Sequence, residues 1–268
     1  MHPVLLFLLF LLLNAAVVKA APRLRSGFYS EKCPKAELIV RKGCDASLLL
    51  DDTPNMLGEK LGLSNIDSLR SYKVIDEVKQ ALEKACPGIV SCADILIMAA
   101  RDAVVLSGGP NWKVKLGRKD SLTARQEESN NIMPSPRAHS TLLIHLFKRF
   151  NLSIKDLVAL SGSHSIGKGR CLSIVHRLHG KGRCLSIVHR LHNQSGTGRP
   201  DPTMEPKYRE KLNKLCPQSG DENMVGDLDA TPEKFDNQYF KDLMNGRGFL
   251  NSDQTLNVCE NCPQVFIV

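Results

Sequence analysis

The sequence predicts a mainly α-helical fold, and three observations support this. Apolar residues recur at helical spacing in several segments of the 268-residue chain. The alternation of apolar and polar residues that is typical of half-buried strands is scarce. Gly and Pro end the two most regular segments, as expected of residues that stop helices. We therefore expect helices joined by irregular connections.

The first two predicted helices cover residues 71–86 and 91–106. In residues 71–86 the apolar positions follow one face, and Pro87 and Gly88 stop the pattern, which indicates an amphipathic helix. In residues 91–106 the apolar positions run around most of the circumference, which predicts a central, buried helix. Residues 107–140 are rich in Gly, Pro, Ser and Asn and predict a long irregular connection.

Two more helices are predicted in the second half, from about Ser140 and from Ser153. Asp156 lies three positions after Ser153, which suits an approximate capping box and places a negative charge in the first turn. The spacing puts His164 on the same inward face as three earlier residues, Leu157, Leu160 and Ser161. Spacing alone favours a hydrogen-bonded core histidine at this position.

Residues 1–21 predict a signal peptide. An apolar run from Val4 to Leu13 is followed by the small residues that a signal peptidase prefers, and the run is too short to span a bilayer. We find no second membrane-span candidate. The remaining residues 22–268 are long enough to bury a sizeable core, and we expect them to form one domain.

Composition restricts the class of protein further. Nine cysteines behind an export signal predict a disulfide framework. The net charge of +8 comes from Lys and Arg residues that are interleaved with acids, which argues against nucleic acid and favours acidic extracellular polymers as partners. Sequons at Asn151 and Asn193 are compatible with glycosylation.

An internal repeat interrupts the chain. Residues 167–179 read GKGRCLSIVHRLH, and residues 180–192 repeat all thirteen letters. A unit this short, present twice, is not a solenoid, and we interpret it as a local tandem duplication. Copying also explains the four histidines of the repeat better than selection for metal ligands does: His176, His179, His189 and His192.

Several segments together resemble the class III secretory haem peroxidases of plants. They read GFYSEKCPKAELIVRK, GCDASLLLDD, CPGIVSCADILIMAARDAVVLSGGPNWKVKLGRKDS, DLVALSGSHSIG and FDNQYFKDL. The resemblance implies two helical lobes around a central haem pocket, with a distal part at 22–140, a proximal part at 141–255 and a divergent tail at 256–268. It further implies haem b, two calcium ions, secretion to the cell wall, and hydrogen-peroxide-dependent oxidation of phenolic donors in the response to oxidative stress.

The resemblance also assigns roles to individual residues. His164, in SGSHSIG, corresponds to the axial ligand of the haem iron. Asp253 corresponds to the carboxylate that accepts the other N–H of that imidazole, which would favour the oxidised iron states. Pro134 matches the region that lines the donor site.

Two calcium sites are implied by the family pattern, because clustered oxygen ligands suit this ion. The distal site corresponds to Gly43, Asp45, Ser47 and Glu59. The proximal site corresponds to Ser165, Thr231 and Asp236, together with Asp227 or Asp229, of which we favour Asp229.

The family pattern further implies three disulfides. Cys33 would pair with Cys86, Cys92 with Cys259 or Cys262, and Cys216 with either Cys184 or Cys171 from the repeat. Cys44 has no partner by this pattern.

The chain departs from the family between Lys42 and Gly43. There the family has a helix with a phrase resembling LRLHFHDC, which supplies the distal His and Arg, and here the two residues are adjacent. We expect impaired peroxide cleavage, because the general acid–base and the charge-stabilising donor are both missing. The alternatives are a non-catalytic extracellular protein that binds haem or calcium, and an unstable product of a damaged gene.

Overall fold

The computed structural model describes residues 45–66, 68–170, 187–218, 224–260 and 262. Helices dominate this part of the chain, as predicted, and the only sheet within it has two short strands. Its α-helices are α1 (Tyr72–Ala85), α2 (Cys92–Leu106), α3 (Gln126–Ile132), α4 (Ser140–Arg149), α5 (Ile154–Ser161), α6 (Ile187–His192), α7 (Pro206–Leu215), α8 (Gln238–Met244) and α9 (Asn251–Gln254).

The remaining elements are short. The strands β1 (Lys168–Arg170) and β2 (Val225–Asp227) pair antiparallel, with Lys168 opposite Asp227. Within the described ranges, four single turns of 3₁₀ helix cover Ser47–Leu49, Gly162–Ser165, Gln194–Gly196 and Thr255–Val258. Among the described residues, no helix has the length and apolar character needed to cross a membrane.

Contacts divide the chain into two compact units. One unit extends to Leu106 and includes Pro110–Asn131, and the other contains Ser107–Gly109 and the chain from Ile132 onwards. The predicted signal peptide, residues 1–21, lies outside the described residues.

In the first unit, α1 packs against α2. Ser71 and Cys86 flank α1, so the predicted bounds hold within one residue. The prediction that α2 is a central, buried helix is only partly confirmed: Ile95 is buried, but Leu106 is 55% exposed, and the exposed face of α2 lines an apolar groove with Leu48, Leu49 and residues of α1. Nothing among the described residues of this unit covers that face.

The connection at 107–140 is less irregular than predicted, because it contains α3. Residues Gln126 to Ile132 include two glutamates in the first turn, where negative charge stabilises a helix. The Gly- and Pro-rich composition of the whole segment concealed this short helix.

In the second unit, the described part of the thirteen-residue repeat contributes one element from each copy. Strand β1 comes from the first copy, at residues 168–170, and α6 comes from the second, at residues 187–192. The residues between them lie outside the described part of the chain.

Helix α6 lies in the core of the second unit and buries a charge. Its Ile187, Val188 and Leu191 pack in a cluster with Phe249. Arg190 is 0% exposed, and its Nε donates to Asp201 Oδ2 at 2.8 Å. Its Nη2 lies 2.7 Å from the same oxygen without hydrogen-bond geometry, while Nη1 donates to three carbonyls, those of Gly248, Phe249 and Leu250.

Helix α5 leads into the turn that contains His164. Ser153 and Asp156 form the predicted capping box, with the Ser153 hydroxyl 3.2 Å from the Asp156 amide and the Asp156 carboxylate 2.7 Å from the Ser153 amide. The α-helix ends at Ser161, and the chain tightens into a 3₁₀ turn that contains His164. The predicted inward stripe is only partly confirmed: Leu157 is buried, whereas Leu160, three positions later in the same α-helix, is 57% exposed.

Candidate active site and metal sites

The structure pairs His164 with Asp253, as the family resemblance implies. His164 Nδ1 lies 2.9 Å from Asp253 Oδ1, although 89 positions separate the two residues. Asp253 belongs to α9, and its side chain is 3% exposed, whereas that of His164 is 36% exposed. A buried carboxylate therefore faces one nitrogen of a ring whose other side is accessible.

The electrostatics of this pair set the protonation of the ring. Burial alone lowers the pKa of His164, but the charge of Asp253 and its hydrogen bond outweigh burial and raise that pKa above its usual value. When the ring is neutral, the contact with the carboxylate places the proton on Nδ1. Nε2 makes no hydrogen bond to any described residue, so its lone pair is available to a metal. This arrangement fits a haem iron ligand.

A third residue, which sequence reasoning missed, joins this pair. Tyr239 of α8 donates a hydrogen bond from its hydroxyl to Asp253 Oδ1 at 3.0 Å. Its ring packs edge-on against the ring of His164, with 6.3 Å between centroids. The phenol is buried and also hydrogen-bonds the Ser161 side chain. The sequence feature that could have indicated Tyr239 is its position in FDNQYF, three residues after the proposed calcium ligand Asp236.

Oxygen atoms converge around Ser165, directly after the histidine. Ser165 Oγ lies 3.4 Å from Asp229 Oδ2, 3.3 Å from the Lys234 carbonyl and 3.0 Å from the Asp236 carbonyl. Thr231 Oγ1 lies 3.1 Å from Asp236 Oδ1. All four residues predicted for the proximal calcium site are thus brought together, along with two backbone carbonyls.

Geometry distinguishes Asp229 from Asp227. Asp229 is buried, and burial first, then the charges of Asp236 and Asp242, raise the pKa of its carboxyl. Asp227 instead lies on β2, where its carboxylate is 3.6 Å from the Lys168 ammonium. Within the described residues, no three His, Cys, Asp or Glu side chains gather as a metal site. An ion here would depend on hydroxyl and carbonyl oxygens, which calcium accepts.

The residues predicted for the distal calcium site are only partly assembled. Ser47 donates its amide to Asp45 Oδ1 at 3.2 Å, so these two lie in one turn. The Glu59 carboxylate instead accepts a long contact from the Arg125 amide, at 3.5 Å. Gly43 lies outside the described residues. The contacts of the described residues do not join Glu59 to the other two.

Pro134, predicted to match the donor-site region, is exposed on the connection between α3 and α4. Its exposure leaves it accessible to a small molecule.

The disulfides differ from those implied by the family. Cys259 is bonded to Cys262, while Cys92 is a free thiol, which replaces the predicted pairing of Cys92 with Cys259 or Cys262. Only two residues separate Cys259 from Cys262, and their Cα atoms are 5.2 Å apart, within the span that a disulfide needs. Cys92 instead lies near Asp120, and burial, then that charge, raises its pKa.

The other predicted pairs involve residues outside the described part of the chain. Cys86 is a free thiol, so the structure does not contain the Cys33–Cys86 bond. Cys216 is disulfide-bonded. Its two candidate partners, Cys171 and Cys184, both lie outside the described residues.

The mainly helical fold and the paired His164 and Asp253 agree with the comparisons to known proteins. The family model described as "Peroxidase" matches residues 17–265. This chain belongs to that family of enzymes, in its plant class III branch, and has the haem-peroxidase fold.

Individual relatives confirm this. The chain is 64% identical to Peroxidase 17 of Arabidopsis thaliana, over 90% of its own length and 77% of the relative. It is 42% identical to Peroxidase 72 of the same plant, over 85% of the chain and 73% of the relative. It is 40% identical to Peroxidase 15 of Ipomoea batatas, over 92% and 80%.

Proposed function

We propose that this chain binds haem b through His164 and oxidises small phenolic donors with hydrogen peroxide, at a rate far below that of an intact relative. The observation that supports the haem site is the 2.9 Å contact between His164 Nδ1 and Asp253 Oδ1, which leaves Nε2 free. The absence of a distal His and Arg between Lys42 and Gly43 supports the low rate.

The chain's own residues would act by holding a proton. Bound haem supplies the iron that reacts with peroxide and accepts electrons from the donor. Asp253 keeps the proton of His164 on Nδ1 and attracts it, which makes the imidazole a more strongly donating ligand. Lys42 is followed directly by Gly43, so the chain lacks the family's distal side chains that would take a proton from peroxide and return it to the leaving oxygen.

A second candidate function is non-catalytic binding of haem or calcium outside the cell. The same missing segment favours it, because its loss removes catalytic groups and leaves the proximal residues intact. Binding and turnover are separable by experiment. Haemin added to the purified chain should give a saturable Soret band at one haem per chain. If binding does not saturate, both candidate haem functions are wrong.

We also propose a calcium ion held by Ser165, Asp229, Thr231 and Asp236. Two carboxylates, two hydroxyls and nearby carbonyls form the oxygen-rich site that this ion prefers. For the distal site, only Asp45 and Ser47 lie together in the described residues, so we expect weaker binding there.

Calcium should stabilise the protein through Asp229. At a calcium concentration about 100 times Kd, binding contributes about 2.7 kcal/mol, which should raise the Tm by roughly 5–10 °C. Asp229→Asn should abolish most of this rise, because the amide lacks the charge that binds the ion. Asp227→Asn is the matched control and should keep it. Thermal unfolding with calcium and with a chelator measures both, and an equal loss in the two variants would contradict the assignment.

Secretion to the extracellular space or cell wall is also proposed. The sequence of residues 1–21 supports export, and the Cys259–Cys262 disulfide suits an oxidising compartment. Asn151 and Asn193 are exposed, as glycosylation requires. The excess of 36 Lys and Arg over 28 Asp and Glu would attract acidic wall polymers.

A further inference from the structure

Two donors converge on a single oxygen beside the histidine. Asp253 Oδ1 accepts from His164 Nδ1 at 2.9 Å and from the Tyr239 hydroxyl at 3.0 Å. Asp253 Oδ2 is buried and has no hydrogen-bond partner among the described residues. The two donors therefore share one oxygen, and each weakens the pull that this oxygen exerts on the other.

Tyr239 is fixed as a donor. Its side chain is 1% exposed, so water cannot replace Asp253 as its acceptor. Burial first, then the charge of Asp253, raises the pKa of Tyr239 well above its usual value, so the phenol keeps its proton. The hydrogen bond with Ser161 lowers the same pKa, as expected when the Ser161 hydroxyl donates to the phenol oxygen.

The four residues form a connected chain of hydrogen bonds. Ser161 ends α5, and His164 lies three positions later in the following turn. Ser161 is linked to Asp253 through the Tyr239 hydroxyl, whereas His164 is hydrogen-bonded to Asp253 directly. A hydroxyl that accepts a hydrogen bond becomes a better donor, so Ser161 strengthens the bond from Tyr239 to Asp253.

We propose that Tyr239 is a positioning residue for His164: by sharing Asp253 Oδ1, it sets how strongly that carboxylate attracts the His164 Nδ1 proton. Ser161 modulates this effect through the Tyr239 hydroxyl. The role as a tuner of an iron ligand rests on the proposed function, whereas the hydrogen-bond competition belongs to the chain itself.

The competition is measurable without haem. In the chain labelled with ¹⁵N-histidine, the NMR resonance of the His164 Nδ1 proton reports the strength of its hydrogen bond. Tyr239→Phe removes the competing donor, so this resonance should move downfield. Ser161→Ala should move it in the same direction by a smaller amount. Tyr208→Phe, which removes the hydroxyl of a partly buried tyrosine that is not bonded to Asp253, should leave it in place.

A general loss of packing would not produce this graded pattern. An unshifted or upfield resonance in folded Tyr239→Phe overturns the proposal, as does an equal shift in Tyr208→Phe. If Tyr239→Phe does not fold, Ser161→Ala decides, and an unshifted resonance in that variant overturns the proposal too.

The haem-loaded chain gives a second measurement. A stronger bond to Asp253 makes the imidazole a stronger donor to iron, so the Fe(III)/Fe(II) midpoint potential should fall in Tyr239→Phe and stay unchanged in Tyr208→Phe. If haem does not bind, the proposed function fails while the NMR result still stands. If haem binds through His164 and neither the resonance nor the potential moves, this inference fails alone.

Discussion

Arg190→Ala is expected to lower the free energy of unfolding by about 3–5 kcal/mol, because it removes one partner of a buried ion pair. The substitution leaves the buried Asp201 carboxylate without its counter-charge. It also leaves three carbonyls without the donor that Arg190 Nη1 provides. Urea unfolding monitored by circular dichroism measures the change.

The repeat offers a matched control, because Arg177 occupies the equivalent position of the first copy. Arg177→Ala should change the free energy of unfolding by no more than about 0.5 kcal/mol, since the cation paired with Asp201 in the described residues is Arg190. Equal losses in the two variants, or a larger loss for Arg177→Ala, would show that the first copy enters the core instead.

The contribution of the Arg190–Asp201 ion pair to stability should also depend on pH. Burial alone raises the pKa of Asp201, but hydrogen bonds from Thr203 and the charge of Arg190 outweigh it and lower that pKa below its usual value. A group with a depressed folded-state pKa stabilises the fold above its unfolded-state pKa, and the contribution is lost as pH falls through the folded-state value. The contribution of Asp201 to the stability of the native chain should therefore be complete above the ordinary carboxyl pKa and be lost as pH falls through the lower folded-state pKa, which urea unfolding at a series of pH values measures.

The second large effect concerns turnover. The haem-loaded chain is expected to oxidise guaiacol about 10⁴-fold more slowly than an intact relative, per haem. Loss of a general acid–base typically slows a reaction by about 10²–10⁴, and loss of a charge-stabilising donor by about 10²–10³, without strict additivity. Peroxide-dependent absorbance change at matched haem concentration measures it.

An insertion variant is the control for this effect. The distal-helix sequence of the family, placed between Lys42 and Gly43, restores both missing groups, and turnover should rise by at least about 10²-fold. Turnover of the unmodified chain close to that of an intact relative would contradict the predicted impairment. So would a haem-loaded insertion variant with no gain.

Local chemistry was predictable where neighbours in sequence decide the structure. The Ser153–Asp156 capping box and the bounds of α1 follow from residues a few positions apart, and both are confirmed. The pairing of His164 with Asp253 was expected only from the family resemblance, because no spacing rule connects residues so far apart in sequence.

Long-range packing accounts for most of what was missed. Tyr239 joins the His164–Asp253 pair because α8 and α9 pack beside the turn that contains His164, which periodicity cannot reveal. Which face of α2 is exposed depends on the elements that pack against the helix, and the composition of α2 alone does not show this. Cys259 and Cys262 pair with each other because proximity along the chain favours that bond over a distant one.

The central claim is that the His164 imidazole is the iron ligand, and the spectrum of the haem complex tests it most directly. His164→Ala should lose the absorption bands of histidine-ligated haem, which added imidazole should restore. The control is His145→Ala, an exposed histidine on α4, which should match the unmodified chain. An unchanged spectrum in His164→Ala would contradict the account.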